Sequence, residues 1–434
     1  MIINLAQRAH NRNWELDPAV RSLLDTDFYK LLMLQFIWRH FRETKVGFAF
    51  LNRTRAVRLA GEVDATELRR QLDYARTLRF RRSELIWLAG NTFYGQRGIF
   101  APDFLAWLEE FSLPPYELGE ADGQLTLRFS GRWTDVTLWE IYALSIVNEL
   151  RTRHALARLS EFELDILYAR AKARLWSKIE RLREGGACAP VADFGTRRRH
   201  SFLWQEYVVT AMATELGACF TGTSNAFLAF KHDLEAIGTN AHELPMAMAA
   251  LADTDAALKQ AQYRLLDLWR ETYGGNLLIM LPDTYGTTQF LRDAPEWAAD
   301  WTGIRVDSKD PVMAGEEYIA WVEFRGRDPG TKRILFSDGL DVDEILRLRA
   351  HFGGRVLDAY GWGTLLTNDF RDCHPRNLPD LEPISLVCKL AEVEGRPAVK
   401  LSDNYLKATG PAEEVARYRA VFGTAGVANI PVRV

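Results

Sequence analysis

From about residue 190 the chain repeats one unit: a short apolar run, a polar tip, then a helical pattern. Ala192-Asp193-Phe194-Gly195-Thr196-Arg197-Arg198 precedes a helix from Ser201, and Cys219-Phe220-Thr221-Gly222-Thr223-Ser224-Asn225 precedes an Ala/Phe/Leu helix. Leu277–Leu281 is closed by Pro282-Asp283-Thr284-Tyr285, and Gly303-Ile304-Arg305-Val306 by Asp307-Ser308. Ile334-Leu335-Phe336 ends in Ser337-Asp338-Gly339, and Val356–Tyr360 leads into Gly361-Trp362-Gly363-Thr364. Such units require parallel strands joined by right-handed crossovers. Their regular spacing favours a β/α barrel over an open doubly wound sheet. Polar groups gathered at strand C-termini are how a barrel builds its active site.

The first third reads differently. An apolar helix runs to about Phe41, with Asp25 or Thr26 able to cap it and Tyr29 in its first turn. Val46, Phe48 and Phe50 alternate as in a strand, as do Leu125, Leu127 and Phe129 after the turn at Asp122-Gly123. Two helical patterns fill 62–90, and 135–183 is mostly helical up to Gly185-Gly186. Mixed strands and helices of this kind make an α+β domain. The tail offers short strands at Cys388–Leu390 and Val399–Leu401 and is expected to return to the first domain. The expected organisation is an α+β unit over 1–150, a β/α barrel over 151–380 and a returning segment over 381–434, with 1–22 as a polar arm.

Composition sets bounds on partners and compartment. A formal net charge of −4 gives no overall basicity that would point to nucleic acid. No stretch approaches 18 apolar residues and the start lacks a signal pattern, so the expectation is a cytoplasmic protein with no membrane span. The four cysteines have no CxxC or finger-like spacing and read as reduced thiols, not as a disulfide frame or zinc site. The eight histidines form no HExxH-like cluster, so no structural metal is expected.

Gly238-Thr239-Asn240-Ala241-His242-Glu243 runs into Leu244, Met248 and Leu251 at helical spacing. With Pro245 favoured at a first helical position, His242 and Glu243 are expected just ahead of the helix. The free amides of a helix start attract anions. The barrel tips add cations at Arg197, Arg198 and Arg305 and acids at Asp283, Asp307 and Asp338. Strand period puts Arg305 and Asp307 on one face. Glycine turns at Gly339 and Gly363 let backbone amides approach an oxyanion. Tyr29 and Phe194 offer faces for a flat ring. Singly, each is more often a capped turn or a surface pair. Together they suit a phosphorylated sugar plus a planar, anionic heterocycle, with Mg²⁺ held partly by substrate oxygens. No GxxxxGK[ST] loop is present.

With these residues laid out, the chain resembles the nicotinate phosphoribosyltransferases. The resemblance runs from Asp25-Thr26-Asp27-Phe28-Tyr29-Lys30 through Asp193–Arg198, Gly238–Glu243, Arg305–Ser308 and Gly361–Thr364 to Lys400-Leu401-Ser402-Asp403-Asn404. It implies a type II phosphoribosyltransferase fold: an irregular β/α barrel with an α+β N-terminal domain. It implies a homodimer with shared sites that joins nicotinate to phosphoribosyl pyrophosphate, with ATP as co-substrate, Mg²⁺ and a transient phosphohistidine, for NAD synthesis. By position His242 matches the phosphorylated histidine, oriented by Asp283 or Glu243. Thr239 and Arg305 match nicotinate contacts. Phe194, with Tyr29 of the partner subunit, matches the ring-stacking pair. Arg197 matches a phosphate-binding arginine, a role Arg198 beside it can share, and Asp338, Gly339, Gly363 and Thr364 match the 5′-phosphate loops. Asp307 falls where ribose and Mg²⁺ are organised. Lys309 stands where the family often has glycine.

The rivals are a nicotinamide phosphoribosyltransferase, a non-catalytic phosphosugar-binding barrel, and a Schiff-base aldolase using Lys309. Ser224 speaks against the first. Nicotinamide enzymes carry an acid there, and a serine spares an anionic carboxylate from repulsion.

Overall fold

The computed structural model describes residues 17–185 and 188–428. Helix α1, Phe28–His40, is buried over its first ten residues, Lys30 included. Its N-cap is Asp27, without a side-chain cap bond. Asp25, an expected cap, instead grips Arg199 at 2.7 Å, and both side chains are fully buried. Of the expected arm, residues 1–16 lie outside the described residues; Ala19 and Val20 are core residues, so the segment after 16 is no arm.

Strands β1 (Lys45–Asn52), β2 (Glu117–Ala121) and β3 (Gln124–Arg132) are antiparallel. Val46, Phe48 and Phe50 point to the core, as do Leu125, Leu127 and Phe129. The β2–β3 turn uses Asp122 and Gly123, both at positive φ, which matches the twist of a tight hairpin. Helix α2, Trp139–Leu156, packs across this sheet, with Trp139 stacked on Phe129 at 4.9 Å. It runs through residue 150.

The second sheet holds β4 (Val191–Asp193), β5 (Phe220–Thr223), β6 (Ile279–Met280), β7 (Gly303–Val306), β8 (Arg333–Phe336) and β9 (Leu357–Trp362). The order is β5-β4-β9-β8-β7-β6, all parallel. Between β5 and β6, segment 235–241 takes the place of a ladder. Ala236 bridges Thr223 in parallel, and the Asn240 amide donates to the Ile279 carbonyl at 2.9 Å. This makes the barrel irregular and sets residues 238–242 at its rim. Gly238 is required there, because a Cβ would lie 2.8 Å from the Tyr29 nitrogen.

The tail does return: β10 (Leu386–Val393) pairs with β1, and β11 (Arg396–Pro397) with β10. Val399–Leu401 is not a strand. Lys400 makes one bridge to Thr409, while the Leu401 and Ser402 amides both donate to the Thr284 carbonyl. This docking pins the tail onto the barrel rim.

The cysteine expectation is corrected. Cys188 and Cys219 form a disulfide; Cys373 and Cys388 are free and buried. Adjacent parallel strands β4 and β5 start side by side, which brings together two cysteines 31 residues apart. Spacing within either loop carries no trace of that. No described helix is long and apolar enough to cross a membrane.

Candidate active site

His242 is the N-cap of helix α3, Glu243–Ala250. The helix therefore starts earlier than expected, with Glu243 first and Pro245 third. Proline is tolerated there because first-turn amides have no acceptor within the helix. The two neighbours face opposite ways. Glu243 turns inward, accepting from Thr137 Oγ1 at 2.7 Å, Trp133 Nε1 at 2.5 Å and Lys30 Nζ. The Lys30 ammonium also pairs with Glu140 at 2.7 Å, and Glu140 reaches Arg197 at 3.4 Å. Burial works against the charge on Lys30, but Glu140 and Glu243 outweigh it and raise the pKa.

His242 turns outward. Its Nε2 lies 2.7 Å from Asp283 Oδ1, 2.9 Å from Lys400 Nζ and 3.5 Å from Asp307 Oδ2. Asp283 sits on the turn Pro282–Thr284 after β6 and accepts from Ser308 Oγ at 2.6 Å. Burial lowers the His242 pKa; Asp283 and Asp307 oppose it, and Lys400 adds to it. Burial alone would raise Asp283, but His242 and Lys400 hold it well below the usual carboxylate range.

Two adjoining cavities open at this rim. One, of about 170 Å³, has His242 in its wall with Arg53, Arg197, Arg198, Arg305, Lys389, Lys400 and Lys407. Its carboxylates are Asp307 and the already paired Glu140 and Glu243. The crowding shows in Arg198, whose pKa drops to about 10 through burial and the neighbouring Arg197. It also shows in Lys389, pushed well down by burial, Arg53 and Lys400. An oligophosphate relieves such crowding. The second cavity, of about 110 Å³, is lined by Tyr29, Phe194, Ser224, Thr239, Gly339, Gly363 and Thr364. Tyr29, Arg197, Arg198, Arg305 and Asp307 border both.

Local bonds fix these tips. Asp193 accepts from the Gly195 amide at 2.8 Å, and the Phe194 amide donates to the Trp362 carbonyl at 2.9 Å. A Cβ on Gly361 would lie 2.4 Å from the Phe194 ring, so glycine gives that ring its place. Arg305 donates to the Asn240 carbonyl at 3.0 Å, tying β7 to the His242 segment.

Residues 24–148 match the nicotinate phosphoribosyltransferase (NAPRTase) N-terminal domain, and residues 189–425 match the nicotinate phosphoribosyltransferase (NAPRTase) family. The chain belongs to the nicotinate phosphoribosyltransferase family. It is similar to the Vibrio cholerae nicotinate phosphoribosyltransferase structure at 32% identity and a TM-score of 0.83, covering 93% of this chain and 94% of that one. It is also similar to the Porphyromonas gingivalis enzyme at 29% identity and 0.81, covering 93% and 100%. It is an enzyme of NAD biosynthesis that transfers a phosphoribosyl group to nicotinate.

Among nicotinate phosphoribosyltransferase residues expected from sequence, two need correction. Tyr29 and Phe194 of one chain both line the second cavity. Glu243 is spent on Lys30, Trp133 and Thr137, which leaves Asp283 as the carboxylate on His242. Asp338 opens onto a third cavity with Ser308 and Lys309 and pairs with Lys407, so it holds a cation in place instead of meeting a phosphate. Lys309 is held by Thr288 at 2.9 Å and Glu317 at 2.5 Å, which suits neither a Schiff base nor a free phosphate contact.

Lys400, Ser308, Lys389, Arg53, Lys30 and Asp27 carry no site role from sequence, although Lys400, Ser308, Lys30 and Asp27 stand in the motifs of the resemblance. Asp27 accepts from Ser224 Oγ at 2.6 Å inside the second cavity. Burial raises its pKa, and Arg197 opposes that. A lysine inside the apolar run Phe28–Ile37 is a local signal for Lys30. His242, Asp283 and Asp307 lie within 4.8 Å of one another, close enough to share a cation. The Lys400 ammonium already stands among them, 2.9, 3.2 and 3.6 Å away. That donor set does not fit a protein-held metal ion.

Proposed function

We propose that this enzyme couples ATP hydrolysis to nicotinate mononucleotide synthesis through a phosphohistidine at His242. The observation that carries it is the His242 imidazole, 2.7 Å from Asp283 in the wall of the cation-lined cavity. The imidazole attacks the γ-phosphorus of ATP; an N–P bond forms, the P–O bond breaks, and its electron pair leaves on ADP. The acceptor nitrogen is Nδ1, free when the Nε2 proton is donated to Asp283.

Nicotinate lies between Tyr29 and Phe194, with its carboxylate on Arg305. The phosphoribosyl 5′-phosphate takes the Gly339 and Gly363-Thr364 loops, and the pyrophosphate extends toward Arg197 and Arg198. The ring nitrogen of nicotinate attacks C1′ as the C–O bond to pyrophosphate breaks, with the pair leaving on pyrophosphate. The protein's part is to position both reactants and neutralise the leaving group. Water then hydrolyses the phosphohistidine to phosphate. Mg²⁺ would be held mainly by polyphosphate oxygens, where it would offset their charge. A homodimer belongs to this reading, and sedimentation at assay concentration tests it; a monomer there removes it.

Incubation with γ-labelled ATP is the test. Wild-type protein takes up acid-labile, base-stable label, and His242→Ala takes up none. Label persisting in that variant removes the phosphohistidine. Parallel assays give faster turnover of nicotinate than of nicotinamide, in keeping with Ser224.

A further inference from the structure

One nitrogen of His242 has more partners than it can serve. Asp283 Oδ1 stands 2.7 Å from Nε2, and Lys400 Nζ stands 2.9 Å from the same atom. An ionised carboxylate only accepts and an ammonium only donates. A neutral ring with its proton on Nε2 bonds to Asp283. A ring with its proton on Nδ1 accepts from Lys400. It cannot do both.

The two tautomers differ in what they leave free to react. With the proton on Nε2, the Nδ1 lone pair is available. With the proton on Nδ1, the only lone pair lies on Nε2, where the ammonium covers it. We propose that Lys400 is a positioning residue that selects the His242 tautomer, and that polyphosphate entering the cationic cavity draws its ammonium off Nε2 and frees Nδ1.

This rests on reading His242 as the phosphoryl acceptor. The backbone around Lys400 is fixed by two bonds with Thr409 and by the Leu401 amide on the Thr284 carbonyl. The side chain is different. It ends in the cavity wall on a four-carbon stem, with two further carboxylate contacts at 3.2 and 3.6 Å. A polyphosphate offers more anionic oxygens than Asp283 and Asp307 together. When Lys400 leaves, Asp283 keeps Ser308 Oγ at 2.6 Å and gains the Nε2 proton. The ring gives up its Nδ1 proton to cavity water and takes one on Nε2 from water, so its charge is unchanged. The His242 side chain is 16% exposed, which lets water reach it. Coupling of this kind keeps the nucleophile covered until a phosphate donor is present.

The experiment is ¹⁵N NMR of histidine-labelled full chain, with His242 assigned by difference against His242→Gln. Inorganic tripolyphosphate is the probe, and calorimetry monitors its binding. Expected without probe is the Nδ1–H tautomer, and with saturating probe the Nε2–H tautomer. Lys400→Met gives Nε2–H in both states. The ATP concentration for its half-maximal labelling rises about ten-fold or more. Wild type already Nε2–H without probe, no shift on bound probe, or no probe binding each overturns the proposal. The ligand-free wild-type spectrum needs no variant to fold. Failure of ATP labelling on wild type would sink the phosphohistidine reading on its own; the tautomer measurement is independent of it.

Discussion

Two lysine–carboxylate networks flank the start of helix α3, one behind it and one in front. Behind, Lys30 is fully buried and has a distinct acceptor for each contact: Glu140, Glu243 and Thr137. Glu243 is equally well served, by three separate donors. In front, Lys400 and Asp283 compete for one nitrogen of His242. The first network is complete and has one arrangement. The second holds two alternatives at similar distance. Burial and charge are alike in both, so neither property marks function. What separates them is whether every donor has its own acceptor. A complete buried network holds a helix in place. An over-subscribed one can be switched by a ligand that takes one partner away.

The largest effect should come from breaking the rear network. Lys30→Met leaves Glu140 and Glu243 buried without their cation, and the expected loss of stability is about 3–5 kcal/mol. Denaturant unfolding reads it directly. A loss under about 1 kcal/mol would mean that the rear network is no more constraining than a surface pair. The front network should behave oppositely. Asp283→Asn changes stability less, because Asp283 faces a flexible lysine and a histidine that is itself part-exposed. It should slow ATP-dependent labelling of His242 by about 10–100-fold, the usual range when a partner that orients a reactive imidazole is lost. Labelling at the wild-type rate would show that Asp283 does not hold the reactive tautomer.

The same contrast explains what the sequence could reveal. The barrel strands and their polar tips were legible because an apolar run and its tip are adjacent in the chain. That is why Phe194, Arg197, Ser224, Arg305 and Gly363 fall together around two cavities. Thr239 and His242 were legible for the same reason. The partners that decide their chemistry were not. Lys400 lies 158 residues from His242, and Lys30 lies 213 residues from Glu243. Nothing local to either histidine or glutamate encodes those pairings; they follow from how the tail docks on the barrel rim and how α1 packs under α3. The Cys188–Cys219 disulfide was hidden for the same reason, since only the pairing of β4 with β5 brings its halves together.

The smallest effect is the sharpest discriminator within the front network. Burial and Lys400 lower the His242 pKa, and Asp283 and Asp307 raise it. The folded value therefore lies below the ordinary histidine range, and the unfolded value within it. Protons bind the unfolded ring first as pH falls, so the stability tied to the neutral ring is complete above the ordinary histidine pKa. It is lost as pH drops through that value toward the folded one. Labelling of His242 should likewise stay flat from pH 8 down past the ordinary histidine value and fall only below it. Removing Lys400 takes away a cation, so Lys400→Met should move this acid limb to higher pH. Removing the Asp283 charge should move it to lower pH. Two variants at neighbouring contacts of one nitrogen then shift one profile in opposite directions. A merely structural role for either residue lowers the plateau without moving the limb. Limbs that move the same way would show that the two contacts do not act on the same ring proton.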